Sequence, residues 1–277
     1  MSLTRDKDSK RLHVKSKLMC ESLISKEFLQ GLEYGEQIRI LPEVTVMKIG
    51  GQSITDMGAR SILPITKEII ENSGKHNMII TTGGGTRSRH VYTIAMELGM
   101  PTGIMSKLGQ STSEQNALMI SMLLMPYGGV KIGHDDIAKL GHYLSSGCIP
   151  IMHGMPPYGY WEHPPEDGRI PSNRTDVGTF MLAEVIGAKQ CIMIKDVDGL
   201  YTDNPKNNPG VKFIPKIGAK ELLDLDQDDL VVERILLELL CRTQSLKQVQ
   251  IINGLTEGNI TKALNGEHVG TIIYQDV

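Results

Sequence analysis

Cysteine is scarce and scattered in this sequence. The 277 residues hold four, at Cys20, Cys148, Cys191 and Cys241, and no two of them form a CxxC pair. This spacing excludes a zinc knuckle or a disulfide scaffold and suits a reduced, cytoplasmic protein. Long apolar runs are missing too, since none approaches the roughly 20 residues a membrane span needs. The basic N-terminal string MSLTRDKDSKRLHVKSK has no apolar stretch behind it, so a secretory signal is not expected. A strong charge of either sign is also lacking. A formal net charge of −3 argues against nucleic acid or an anionic membrane as the main partner.

What is present is enough apolar residue, 40%, to build a sizeable core in one large domain or two small ones. Residues 1–37 are charged, and no strand is evident in them. They are expected to form an N-terminal arm, partly helical and set against a neighbouring subunit, with a frayed tail as the alternative. From Val44 the texture changes. VTVMKIGG, NMIITTGGGT, KQCIMIKDVDG and VQIING are short apolar runs that end in glycine. Near-continuous apolar strands are buried on both faces, as in parallel sheets covered by helices.

Helical patterns lie between these runs. Ser111 and Glu114 have capping-box spacing ahead of QNALMISMLL. A helix is expected from a Thr175 cap to Gly187, and another from an Asn259 cap to Gly266. VERILLELLCRTQ puts Ile235, Leu236, Leu239 and Leu240 on one face. Pro64 interrupts a helical pattern, so a helix is expected to begin near it. The alternation predicts an α/β fold, a three-layer αβα sandwich with a mainly parallel sheet.

Glycines at strand ends followed by a helix make anion sites, because backbone N–H groups can approach closely and the helix dipole helps. KIGGQS has neither GxxxxGK[ST] nor GxGxxG spacing. Lys48 precedes Gly50 and Gly51 by two residues, which puts its ammonium near the same mouth, where phosphoryl oxygens could be bridged. The second loop, Gly83, Gly84 and Gly85, is followed by Arg87 and Arg89. Each loop alone is more often just a tight turn. In KDVDGLYTDNPK, Lys195 ends a strand, and Asp198-Gly199 and Asp203-Asn204-Pro205 read as turns.

The order of these pieces resembles the amino acid kinase family, and GEHVGTII is similar to the end of its uridylate kinase branch. The resemblance covers about Arg39 to Ile273. It implies ATP with Mg²⁺. Lys48, Gly50, Gly51 and the second glycine loop with Arg87 would hold the β- and γ-phosphates. Asp176 would orient Lys48 or the Mg²⁺ shell. The segment from Lys195 to Lys206, with Asp198, Gly199, Tyr201, Asn204 and Pro205, would line the nucleoside. Residues 38–277 would form the kinase-like domain.

The sequence departs from uridylate kinase at the second loop (GGGTRSRH), at the acceptor-side helix (STSEQNALMISMLL), and in a long Pro- and aromatic-rich insertion with the chain's only Trp. With GMPPY and RTD, these departures are similar to the molybdenum storage protein family, especially its nucleotide-binding alpha-type subunit. The string GHDDIAKLGHYL is closer to the other subunit type. This likeness implies ATP hydrolysis used to load molybdate or tungstate. The oxoanions would be held as polyoxometalate clusters in an oligomeric cage, a homo- or hetero-hexamer with a related subunit. His134, His153 and His163 are the candidate metal-oxoanion contacts. Histidine can donate at both nitrogens when protonated or ligate a metal when neutral, and no zinc spacing is present. Scattered core or surface histidines are the bland alternative. The insertion, residues 155–171, is expected to pack on a neighbouring subunit or wall the cavity, or else to form a lid. The alternative activity is a small-molecule kinase that transfers the γ-phosphate to UMP or a related acceptor. A paralogue that binds nucleotide without turnover is a third reading.

Overall fold

The β-branched and apolar runs form the strands of an eight-stranded sheet. The computed structural model describes residues 3–5, 12–14, 35–203, 210–227 and 230–276. The chain divides into two units, Met1–Gln37 and Ile38–Val277. In the first, β1 (Leu3–Arg5) and β2 (Leu12–Val14) pair antiparallel, with Leu3 opposite Val14. Strand pairing therefore occurs in an arm where no strand was evident from the sequence.

The second unit runs β3 (Val44–Ile49), α1 (Ala59–Asn72), β4 (Asn77–Thr82), α2 (Gly85–Glu97), α3 (Thr102–Leu124), β5 (Gly129–Lys131), α4 (Leu140–Ser145) and β6 (Ile149–His153). It continues with α5 (Thr175–Val185), β7 (Gln190–Lys195), β8 (Leu200–Tyr201), β9 (Phe213–Ile214), β10 (Lys216–Gly218), α6 (Ala219–Asp224), α7 (Arg234–Leu240), β11 (Gln248–Asn253), α8 (Asn259–Leu264) and β12 (Thr271–Tyr274). The large sheet has the order β10-β12-β11-β7-β3-β4-β6-β5. The six strands from β11 to β5 are mutually parallel, and β12, with β10 beside it, runs the other way.

Alternation along each strand divides the core in two. Val44 and Val46 of β3 and Cys191 and Met193 of β7 pack with Phe180 of α5 and Leu236 and Leu237 of α7. Met47 and Ile49, with Ile192 and Ile194, pack on the other side against Ile65 and Ile69 of α1, Ile120 of α3 and Ile260 of α8. Helices on both faces of a mainly parallel sheet make the three-layer sandwich. Each fully buried Ile or Phe contributes about 1.5–3 kcal/mol to this packing. Among the described residues, no helix is long and apolar enough to cross a membrane.

Three local expectations change. Helix α3 starts at Thr102, after Pro101, and not at Ser111. Ser111 therefore lies inside the helix, and Glu114 accepts from Lys131 Nζ at 2.7 Å and does not close a capping box. Helix α1 starts at Ala59, five residues before Pro64, which sits exposed where water can reach the carbonyl it leaves unpaired. On α7 the fully buried residues are Leu236, Leu237 and Leu240, with Ile235 and Leu239 at the margin.

Candidate functional site

Strands β7, β3 and β4 lie side by side and end at one rim. In an open parallel sheet, ligands bind in the crevice beyond the carboxyl ends of the strands. There the structure has a cavity of about 910 Å³. Lys48 is on the α5-facing side of β3, in step with Val44 and Val46, and Lys195 is on the same side of β7. Both ammonium groups reach Asp176, the second residue of α5. Lys48 Nζ donates to its Oδ1, and Lys195 Nζ lies 3.2 Å from both carboxylate oxygens. Burial pushes the Asp176 carboxyl up, but Lys195 and Lys48 outweigh it and hold the group well below the usual carboxylate range. Burial pulls the Lys48 amine down, with Asp176 opposing. Two amines thus share one carboxylate at the floor of the cavity.

The two glycine loops touch backbone to backbone. A Cβ on Gly83 would fall 2.7 Å from Gly51 N, and one on Gly51 would fall 2.7 Å from Gly85 Cα. Only glycine permits that approach. Gly85 opens α2 with φ +71°, a left-handed conformation that glycine tolerates best. Asp56, in the turn Thr55–Met57, accepts a hydrogen bond from Thr86 N at 2.6 Å and so ties the first loop to the start of α2.

Of the residues expected from sequence, Lys48, Lys195, Asp176, Gly50, Gly51, Gly83, Gly84, Gly85, Gly199 and Tyr201 line this one cavity. Arg87 is not brought there. Its guanidinium turns to α3, donating to Gln115 Oε1 at 2.9 Å and to Asn116 Oδ1, while Ser88 and Arg89 face the cavity. The Asp198 carboxylate is held by Asn253 Nδ2 at 2.8 Å and by the Tyr201 hydroxyl at 3.5 Å. Asn204, Pro205 and Lys206 lie outside the described residues.

His134 and His153 come together, edge to face, with ring centroids 4.5 Å apart. His134 Nε2 donates to the Met155 carbonyl at 2.9 Å. Lys107 Nζ donates to Gln110 Oε1 at 2.9 Å, which turns the Gln110 amide N–H toward His153 Nε2 at 3.3 Å. That network assigns the remaining proton to His153 Nδ1, a buried atom with no partner. Burial, reinforced by His134, pulls the His153 value down to about 4. His163 shares no contact with the pair, because Asn173 Nδ2 and the Pro164 carbonyl occupy its ring nitrogens. Among the described residues, no three His, Cys, Asp or Glu side chains are grouped to hold a metal ion.

The insertion forms a short 3₁₀ turn, Gly159–Trp161, seated on α3 where Gly103 leaves room for the Tyr160 carbonyl. Lys107 Nζ stands 5.4 Å from the Tyr160 ring centroid, yet Tyr160 is exposed and Trp161 is 88% exposed.

Sequence reading missed two acids. Asp56 had a local signal, an acid five residues after Gly51, but nothing that paired it with α2. Glu233 had none. Its carboxylate accepts hydrogen bonds from the backbone N–H groups of Arg174, Asp176 and Val177, each at 3.2 Å.

A strand-glycine-helix rim with two lysines on one carboxylate marks an α/β protein whose strand-end cavity is suited to an anion. The amino acid kinase family profile matches residues 43–234. The chain is 43% identical over 256 residues to the molybdenum storage protein subunit beta of Azotobacter vinelandii, covering 92% of this chain and 95% of that one. It is 23% identical over 235 residues to a uridylate kinase of Metallosphaera sedula, covering 82% and 97%. The crystal structure of uridylate kinase from Archaeoglobus fulgidus shares the fold at a TM-score of 0.63 and 23% identity, covering 83% and 99%. The chain therefore belongs to the amino acid kinase family, within its molybdenum storage protein branch.

Proposed function

We propose that this chain is a molybdenum storage subunit that binds ATP at the strand-end cavity and uses its hydrolysis to load molybdate or tungstate. One observation carries the reading, the likeness to a storage subunit across nearly the whole of both chains. The uridylate kinase relatives are more distant, so phosphoryl transfer to UMP is the less favoured reading.

The geometry supports a phosphate site. Lys48 and Lys195 would neutralise charge on the terminal phosphate, and the touching glycine loops would bring backbone close to it. Asp176 holds the two ammonium groups. Tyr201 and Leu230 to Val232 line the part of the cavity suited to the nucleoside. Arg87 would act from behind, through Gln115 and Asn116. Both Asp176 oxygens are engaged by lysines, so this carboxylate does not fit a Mg²⁺ ligand, and Mg²⁺ would enter on the nucleotide's own phosphates. His153, with its unpartnered Nδ1–H, and His134 beside it are the proposed contacts for oxoanions held as polyoxometalate clusters. His163 is left outside that pair.

Assembly completes the reading. Leu118, Met119, Met122 and Leu123 present an exposed apolar face on α3, and Trp161 stands exposed beside the same helix. Such faces suit contacts in a hexamer, of this chain alone or with a related subunit. The strings similar to the alpha-type subunit and the match to a beta subunit leave both assemblies in the proposal. A cytoplasmic setting fits the free thiols of Cys148, Cys191 and Cys241.

The test is metal retention. The protein is incubated with molybdate, Mg²⁺ and ATP, desalted, and analysed for molybdenum per chain beside an ATP-free control. Many atoms retained only with ATP is the expected result. No retention, with phosphate passed to UMP, would replace storage by kinase chemistry.

A further inference from the structure

The first turn of α5 is closed by a carboxylate from a distant part of the chain. Arg174, its N-cap residue, makes no side-chain capping bond. Glu233 does this instead, from 57 residues beyond Asp176, through the three backbone N–H groups described above. Its own backbone is extended, at φ −65° and ψ 132°, just ahead of α7. Arg174 Nε stands 3.8 Å from the same carboxylate. A carboxylate on orphan N–H groups at a helix N-terminus is stabilised by the helix dipole.

Two things follow. The α5 N-terminus is filled by the protein's own anion, so a bound phosphate is left to the glycine loops and the lysines. Asp176 is also gripped twice, by Glu233 at its backbone N–H and by Lys48 and Lys195 at its side chain. We propose that Glu233 is a positioning residue that, by clamping the first turn of α5, holds the Asp176 carboxylate between Lys48 and Lys195. The kinetic consequence of this rests on the nucleotide reading above, whereas the geometric one does not. Residues Leu230 to Val232, which line the cavity, run directly into Glu233. The clamp therefore ties the nucleoside wall to the phosphate end.

Lys48 reports on the clamp. The titratable groups facing it are Asp176 from α5, Lys195 and Cys191 from β7, and Glu233, with Arg174 facing Glu233 in turn. Glu233 favours the charged form of Lys48. The Glu233→Gln variant keeps the side chain's shape and loses its charge. The experiment follows the ¹³Cε signal of Lys48 against pH in lysine-labelled, unliganded protein, assigned by its loss in Lys48→Arg. In parallel, kcat and KM for ATP hydrolysis are measured for wild type, Glu233→Gln and Glu233→Asp. The Lys48 midpoint is expected to fall in Glu233→Gln and to return toward the wild-type value in Glu233→Asp. The expected kinetic effect is about a tenfold loss of kcat with KM changed less than about twofold, equivalent to about 1.4 kcal/mol. An unmoved Lys48 midpoint in folded Glu233→Gln overturns the proposal whatever the rates. If wild type does not hydrolyse ATP, the nucleotide reading fails while the Lys48 titration still decides the clamp.

Discussion

Lys195 Nζ lies 3.2 Å from both carboxylate oxygens of Asp176, and Lys48 reaches the same group from the next strand. Two ammonium groups thus converge on one carboxylate at the cavity floor. A bound phosphate would complete that arrangement.

Replacing Lys48 with Ala tests it. Asp176 keeps Lys195 as a partner, so the variant is not left with an unpaired buried carboxylate and should fold. ATP turnover is expected to fall by about 10²–10³, the usual cost of removing one transition-state donor. Circular dichroism checks the fold and phosphate release checks the rate. Turnover at the wild-type rate would remove Lys48 from the site.

Asp176→Asn is expected to behave differently, since it leaves two buried amines facing each other. Breaking a buried pair in this way costs on the order of 3 kcal/mol, seen as a lower urea midpoint at pH 7. The folded Asp176 value lies below its unfolded value of about 3.9. Its contribution is therefore present above about pH 4 and is lost as pH falls further. The gap between wild type and variant should narrow in acid. A constant gap from pH 7 down to pH 3 would place the loss elsewhere.

Gly51→Ala and Gly74→Ala form a matched pair. A Cβ on Gly51 would meet the backbone of Gly85, whereas one on Gly74 meets nothing within 4 Å. The first should push the loops apart and weaken nucleotide binding at least about tenfold, roughly 1.4 kcal/mol. The second should match wild type. Titration calorimetry with ATP distinguishes them.

The main strands were legible because buried parallel strands leave a plain mark, near-continuous Val, Ile and Met closed by glycine. Strand β6 was harder, since it carries Pro150. The ladder with β4 begins only at Ile151, so the missing N–H is not needed there. Lys48, Asp176 and the glycine loops were legible through their order along the chain. Arg87 was misplaced because its direction is set by Gln115 and Asn116 on another helix. Glu233 was illegible for the same reason. Its partners are three N–H groups, and sequence does not show which carboxylate a helix end will find.

The single Trp offers a probe of assembly. Trp161 is almost fully exposed within one chain. Its emission should be that of a water-exposed indole in a monomer and should shift to the blue when subunits cover it. Trp161→Ala is expected to weaken assembly in sedimentation runs while leaving ATP affinity unchanged. Unshifted emission in an assembled sample would take the 3₁₀ turn out of the interface.

His153 makes a prediction about acid. It is 3% exposed, and burial with His134 close by pulls its value down to about 4, against about 6.5 in an unfolded chain. Between those two values the unfolded chain binds a proton that the folded chain refuses. Stability therefore rises with pH across this window, is complete above about pH 6.5, and falls toward pH 4. The difference of about 2.5 units corresponds to about 3 kcal/mol over the whole interval. His153→Gln keeps a polar side chain of similar size and cannot titrate. Its urea midpoint should be flatter than that of wild type between pH 6.5 and pH 4, with the two curves parallel above pH 7. Equal slopes in both proteins would mean that His153 takes up its proton as readily in the fold as in the unfolded chain. The orphaned Nδ1 would then have to be reassigned, and with it the neutral donor proposed to meet the oxoanion.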